Sequence, residues 1–226
     1  MATSHRNEDP AESAFPRRLF FRFLRLFFKL LYHQFSWTYD IVAWIVSVGN
    51  WNKWVKAVIP FLDGPRILEI GFGPGHLQIA LQNKNAKVYG LDESRQMVRI
   101  ARKRLAQGGF HPNLIQGDAL HLPFAIESFN QVVMTFPSEF ILNRLTLSEI
   151  RRVLIHGGST LIIPLAWITG RMPWEKLAAW VNKVTGESPP WDPTVLEPLI
   201  DAGFEIDWEM IDFPDSKVLL VRLAKN

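Results

Sequence analysis

The chain of 226 residues contains no cysteine. Disulfides, a thiolate nucleophile and cysteine metal sites are therefore excluded, and no metal site is expected. No apolar run approaches the roughly 20 uninterrupted residues that cross a bilayer as a helix. Tyrosine is scarce, three against nine Trp and sixteen Phe. A short-chain dehydrogenase needs a Tyr with a Lys four residues on, yet Tyr32, Tyr39 and Tyr89 are followed there by Ser36, Ala43 and Glu93. The phosphate-loop spacing GxxxxGK[ST] is also missing. Acids are absent between Ser13 and Tyr39, where Arg17, Arg18, Arg22, Arg25 and Lys29 fall together. The net charge of +3 hides that local basic patch.

What is present is a globular composition, with 48% hydrophobic and 21% charged residues. The length suits one α/β domain with an appended element. Residues 1–14 are polar and read as a disordered lead. From Phe15 the sequence runs FPRRLFFRFLRLFFKLLYHQF. At helical spacing Arg18, Arg22, Arg25 and Lys29 share a narrow sector, opposite Phe20, Phe23, Leu24, Phe27 and Leu31. Such a cationic stripe over a wide Phe/Leu face fits an interfacial membrane helix over residues 15–35. The alternatives are a mitochondrial presequence, or a helix that packs on the domain while its Arg stems cover apolar surface. Interleaving with Phe and Leu leaves no polar platform, so no nucleic-acid partner is expected.

The densest signal is Glu69-Ile70-Gly71-Phe72-Gly73-Pro74-Gly75, preceded by Ile67-Leu68 and followed by an apolar helical stretch. A strand, a tight glycine turn and a helix N-terminus make a site for a nucleotide-like ligand. Alternating strands and helices follow, so a parallel sheet flanked by helices is expected. The pattern predicts strands over 66–70, 86–91, 113–116, 130–135 and 159–163. Helices are expected at 52–61, 75–82, 94–107 and 139–153, the last capped by Ser138, and at 194–202. An antiparallel pair over 204–212 and 218–223 closes the chain. Residues 165–191 break the rhythm and read as a cap inserted after the fifth strand, or as an ordinary connecting helix with core tryptophans.

Three acids surround the loop. Asp92 ends the second strand, where a carboxylate accepts both ribose hydroxyls. Asp118 ends the third strand, placed to accept from an adenine amino group. Glu69 precedes the glycines and faces a cationic part of the ligand. Acids in these places suit a ligand with a sulfonium and an ammonium better than a pyrophosphate.

On these residues the sequence resembles the class I S-adenosylmethionine-dependent methyltransferases. Glu69 to Gly75 is similar to their first motif and Gly90-Leu91-Asp92-Glu93-Ser94 to the second. Gly117-Asp118-Ala119 with Pro123-Phe124 resembles the adenine motif. Ser128 to Thr135 resembles the fourth, and Arg152-Val153-Leu154 with Gly157-Gly158 the segment before the fifth strand. The resemblance implies a Rossmann-like α/β fold with a doubly wound, seven-stranded, mostly parallel sheet, and S-adenosyl-L-methionine as cofactor. It implies cofactor contacts from Tyr39, Glu69, Gly71, Phe72, Gly73, Gly75, Asp92, Glu93, Asp118, Ala119 and Thr135.

Tyr39-Asp40, Val46-Ser47, Gly49 and Trp54 resemble the opening signature of the ubiquinone/menaquinone-type C-methyltransferases. The departures are Val42-Ala43 for a Met-Asn pair, Trp51 for a His, Ile155-His156 for a Lys-Pro type pair, and Pro164 for a Glu.

In-line methyl transfer asks mainly for alignment in a dry site, and no catalytic triad is visible. The catalytic residue is left open, with Tyr39 the candidate for shaping the methyl pocket. His33, Asp40, His76, His121 and Glu139 are candidate bases. His33, Trp167 and Trp174 are candidates for binding substrate. The aromatic, basic flanks point to a lipophilic acceptor drawn from a membrane surface. A prenylated quinone precursor comes first, then a phospholipid amine headgroup. A soluble small-molecule methyltransferase and a cofactor-binding membrane adaptor are the other readings. The expected location is cytoplasmic, on the inner face of a membrane. The expected units are residues 1–14, N-terminal helices over 15–62 and a methyltransferase domain over 63–226.

Overall fold

Short β-branched runs bounded by glycine and proline place the strands, and their order fixes where a ligand can sit. A computed structural model of the protein describes residues 47, 49–82, 84, 86–169 and 197–226. The chain divides into two units, Met1–Ala43 and Trp44–Asn226, and the described residues all belong to the second.

The elements are α1 (Trp51–Lys56), a 3-10 turn (Ile59–Phe61), β1 (Arg66–Ile70), α2 (His76–Leu81), β2 (Lys87–Asp92) and α3 (Arg95–Gln107). β3 (Asn113–Gln116), β4 (Phe129–Thr135), a 3-10 turn (Glu139–Leu142) and α4 (Arg144–Val153) follow. β5 (Leu154–Ile168), α5 (Glu197–Asp201), β6 (Glu205–Asp212) and β7 (Ser216–Ala224) complete the order. The sheet has seven strands ordered β3-β2-β1-β4-β5-β7-β6. β1 to β5 run parallel, whereas β7 is antiparallel to both β5 and β6. The doubly wound, mostly parallel seven-stranded sheet is as the sequence implied.

The chain winds outward from β1 to β3, then returns to place β4 on the other side of β1. That reversal opens a crevice at the carboxyl ends of β1 and β4, where open α/β sheets bind their ligands. Apolar layers cover both faces. On one, Leu68, Ile70, Val132 and Met134 pack on Leu147, Ile150 and Val153 of α4. On the other, Ile67, Val133 and Leu161 pack with Trp54, Val55 and Val58 and with Leu77 and Leu81 of α2.

Several boundaries differ from the expected ones, each for a local reason. α1 is short and lies in the same unit as the sheet. Trp54 and Val55 are buried, the Trp54 indole N–H donates to Ser216 Oγ at 2.9 Å, and Lys53 pairs with Asp215 at 2.7 Å. The helix expected from Glu139 is split. Asn143 caps α4, its side chain accepting from the Leu145 N–H at 2.9 Å, while Ser138 makes no side-chain cap bond. β5 is much longer than expected. The Gly157-Gly158 turn is absorbed as an irregularity in its pairing with β4. Its register with β7 shifts between Ile162 and Leu165, around Pro164, which has no N–H to give a ladder. Residues 165–168 are thus strand, not the start of a cap. The remainder of the proposed cap, 170–191, and the amphipathic stretch 15–35 lie outside the described residues.

Candidate functional site

The glycine loop springs from the centre of the sheet. Ile70 pairs with Leu91, and the Gly71 N–H donates to the Leu91 carbonyl at 2.8 Å. Gly71, Gly73 and Gly75 have φ of +74°, +51° and +84°, the left-handed region that glycine enters without penalty. Each has a second function. A Cβ on Gly75 would lie 2.9 Å from the Ala101 Cβ, so this glycine lets α2 close on α3. A Cβ on Gly73 would meet nothing within 4 Å. The loop therefore presents bare backbone to open space at Gly73, a cradle for a ligand. The tip of the Phe140 ring comes within 4.0 Å of an added Cβ at Gly71.

Asp92 stands at the end of β2 against this loop. Its Oδ2 accepts from the Gly73 N–H at 2.8 Å and its Oδ1 from the Ser94 N–H at 2.9 Å. Burial pushes its pKa up, and those two backbone donors pull it back. Ser94 also caps α3, accepting from Met97. β2 and β3 are tied at their ends by Gly117 N–H on the Asp92 carbonyl at 3.0 Å. Asp118 follows at once, its side chain half exposed, with Oδ1 accepting from the Leu120 N–H at 2.9 Å. Ala119 is buried, and Glu93 is exposed at the β2 end. Thr135 ends β4, in register with Ile163 of β5. Gly71, Gly73, Asp92, Glu93, Asp118, Ala119 and Thr135 thus gather at the carboxyl ends of β1, β2, β3 and β4.

Two of the expected contact residues have buried side chains. The Phe72 ring is buried in a cluster with Val98, Ala101, Leu105 and Leu114, so its side chain serves packing and leaves any ligand contact to its backbone. Glu69 is 1% exposed, with Oε2 accepting from Gln78 Nε2 at 2.8 Å. Burial, chiefly, raises its pKa from 4.5 to about 8, against the Gln78 hydrogen bond and with added repulsion from Asp92. The shift favours the protonated form of this internal acid. His76 sits at the start of α2 with Arg104 Nη1 3.2 Å from its Nε2. His121 is exposed. Trp167 lies near the end of β5, with a buried indole nitrogen that has no hydrogen-bond partner among the described residues. Tyr39, His33, Asp40 and Trp174 lie outside the described residues.

The residue pattern did not announce the aromatic pair beside Thr135. Phe136 has a φ of +51° and stacks on Trp51 of α1. It also passed over Gln78, whose position one turn into α2 puts its amide over Glu69.

Residues 67–158 match the family model described as a methyltransferase domain. This stretch, which holds the glycine loop, Asp92 and Asp118, is similar to that domain. The fold agrees. A solved S-adenosyl-L-methionine-dependent methyltransferase from Methanosarcina mazei superposes with a TM-score of 0.54 at 19% identity, over 75% of this chain and 97% of that one. Demethylmenaquinone methyltransferase of Thermotoga maritima is 34% identical over 153 residues, 63% of this chain and 65% of that protein. The enzyme of the same name from Clavibacter sepedonicus is 36% identical over 123 residues, 52% of this chain and 49% of the other. The chain spans less than two thirds of the length of these relatives.

Proposed function

We propose that the protein is an S-adenosyl-L-methionine-dependent methyltransferase whose acceptor is a lipophilic, membrane-derived molecule, a prenylated quinone precursor. The observation that carries the cofactor assignment is the bare backbone at Gly73 bonded to Asp92, with Asp118 at the next strand end. A purine nucleoside fits that set: Asp92 takes the ribose hydroxyls, Asp118 the adenine amino group, and the Gly71–Gly75 backbone lies against the rest. The bound cofactor supplies a methyl group made electrophilic by positive sulfur.

The chain's own task is to orient and to exclude water. The loop pinned to β2 sets the donor end of the site. Thr135 ends β4 with Phe136 next to it and Phe140 in the turn that follows, and the two apolar rings suit a water-poor site. The quinone acceptor is supported by the relatives' names and by the opening signature. The membrane source is supported by the basic, Phe-rich sequence over 15–35. Among the described residues no helix is long and apolar enough to cross a membrane, so the reading is of surface attachment.

Incubation with methyl-labelled cofactor and total membrane lipids tests it. Label in a prenylated quinone is the expected result. Label in an aminophospholipid would replace the acceptor, and label confined to water-soluble products would remove the lipid reading. Binding of cofactor without turnover on any fraction would make the protein an adaptor.

A further inference from the structure

The segment from Gly117 to Ser128 joins β3 to β4 with little regular structure, so its backbone needs partners from elsewhere. α4 supplies them. Glu149 Oε2 accepts from the Leu122 N–H at 2.8 Å. Arg152 donates through Nη2 to the Leu122 carbonyl at 2.9 Å and through Nη1 to the Phe124 carbonyl at 2.7 Å. The two side chains lock each other, Arg152 Nε to Glu149 Oε1 at 2.6 Å and Nη2 to Oε2 at 2.7 Å. At the far end the Glu127 and Ser128 N–H groups donate to the Arg152 and Val153 carbonyls.

A planar fork reaching two carbonyls and a carboxylate at once fixes orientation as well as distance, which a lysine ammonium cannot reproduce. The grip begins four residues after Asp118. Between them the chain is short and internally bonded, Leu120 N–H to Asp118 Oδ1 and His121 N–H to the Asp118 carbonyl. Leu122 and Ala119 are anchored in the core. Asp118 itself carries no bond to α4, and its Oδ2 meets only His121, 4.0 Å away, among the described residues. Its place at the site is set from one side by the Gly117 bond to β2 and from the other by the pair on α4.

We propose that Glu149 and Arg152 are positioning residues that hold Asp118 at the height needed to read the amino group of the cofactor's purine, and so set selectivity for adenine. This rests on the cofactor reading above. In it, α4 acts on the ligand without touching it.

The test is calorimetric binding to the full chain of S-adenosylhomocysteine and of its deaminated analogue, which carries oxygen at purine C6. The wild type is expected to prefer the amino form by about tenfold, the worth of one good hydrogen bond. Asp118→Asn and Arg152→Met are each expected to bring the ratio close to one, and the double variant to go no lower. Arg152→Lys recovers only part of the preference, and Glu149→Gln falls between. A merely structural role would weaken both ligands by the same factor and leave the ratio at its wild-type value, which overturns the proposal. So does a wild type that binds both ligands equally. Wild-type protein that binds neither ligand overturns the cofactor reading along with it. If Arg152→Met does not fold, the ratio in Arg152→Lys and Glu149→Gln decides: an unchanged preference in both is the overturning result.

Discussion

Trp51 stacks on Phe136 with ring centroids 4.5 Å apart and planes 29° from parallel. Phe136 is the residue after β4, held in the left-handed region at φ +51° by its N–H bond to the Ile163 carbonyl at 2.7 Å. Trp54 approaches the same ring at 6.3 Å. The strained residue at the edge of the crevice is thus fixed by aromatic packing from α1. Trp51→Ala is expected to cost about 2 kcal/mol, less than a full core truncation because the indole is half buried. Trp51→Phe should retain most of the stability. Urea unfolding of the three proteins checks this, and equal midpoints would show that the stacking is idle.

The glycines of the loop separate binding from stability. Gly73→Ala introduces a methyl into open space, so the fold bears only the left-handed backbone penalty of about 1–2 kcal/mol. The methyl occupies the cradle, and cofactor affinity should fall by at least tenfold. Gly75→Ala drives a methyl to within 2.9 Å of Ala101, and the loss there should appear first in the melting temperature. Thermal scans and binding titrations on both variants distinguish the two. The assignment of the cradle fails if Gly73→Ala binds S-adenosylhomocysteine as the wild type does.

Ser216 is the acceptor for the buried Trp54 indole N–H. Ser216→Ala leaves that donor dry and unpaired, which costs about 1–3 kcal/mol. Trp54→Phe in the same background removes the orphan, so the double variant should be destabilised by less than the two single changes added together. A double-mutant cycle by chemical unfolding measures the coupling. Strict additivity would mean that the bond contributes nothing.

The parallel sheet was legible because each strand of the first half ends in an acid or runs straight into a glycine, and begins after a break. Asn113–Gln116 is strand within the bounds the pattern predicted. The places of Asp92 and Asp118 at or just past strand ends were legible for the same reason. The burial of Glu69 was not legible, because a one-letter pattern does not say which acids beside a loop are turned inward, and β1 is buried from Ile67 to Ile70 with no alternation to mark it. β5 was cut short because Pro164 normally ends a strand, and the bulge that accommodates it depends on β7, which lies far along the chain. Of the Glu149–Arg152 pair, only Arg152 belongs to a recognisable motif. Nothing local announces that its partners are carbonyls 28 and 30 residues away.

Glu69 makes stability depend on pH in an unusual direction. Its pKa rises from 4.5 to about 8, first because burial disfavours the charged form, with the Gln78 bond opposing and the Asp92 charge reinforcing. The folded protein therefore keeps a proton that the unfolded chain releases above about 4.5. By linkage, stability from this group is full below that value and is lost as pH rises through about 8. Asp92, also raised, acts in the same direction. Glu149 and Asp215 are both lowered, by Arg152 and Lys53 first, and exert their effect at more acid pH. Unfolding free energy should fall between pH 5 and pH 8 by an amount on the order of a few kcal/mol. Glu69→Gln removes the titrating proton and keeps the shape, so most of that slope should vanish. At pH 8 the wild type begins to charge this buried carboxyl and the amide does not, so the variant should be the more stable protein there. Urea curves at pH 5, 6.5 and 8 decide the point: a variant that keeps the wild-type slope would assign the pH dependence to other groups and leave Glu69 charged in the folded state.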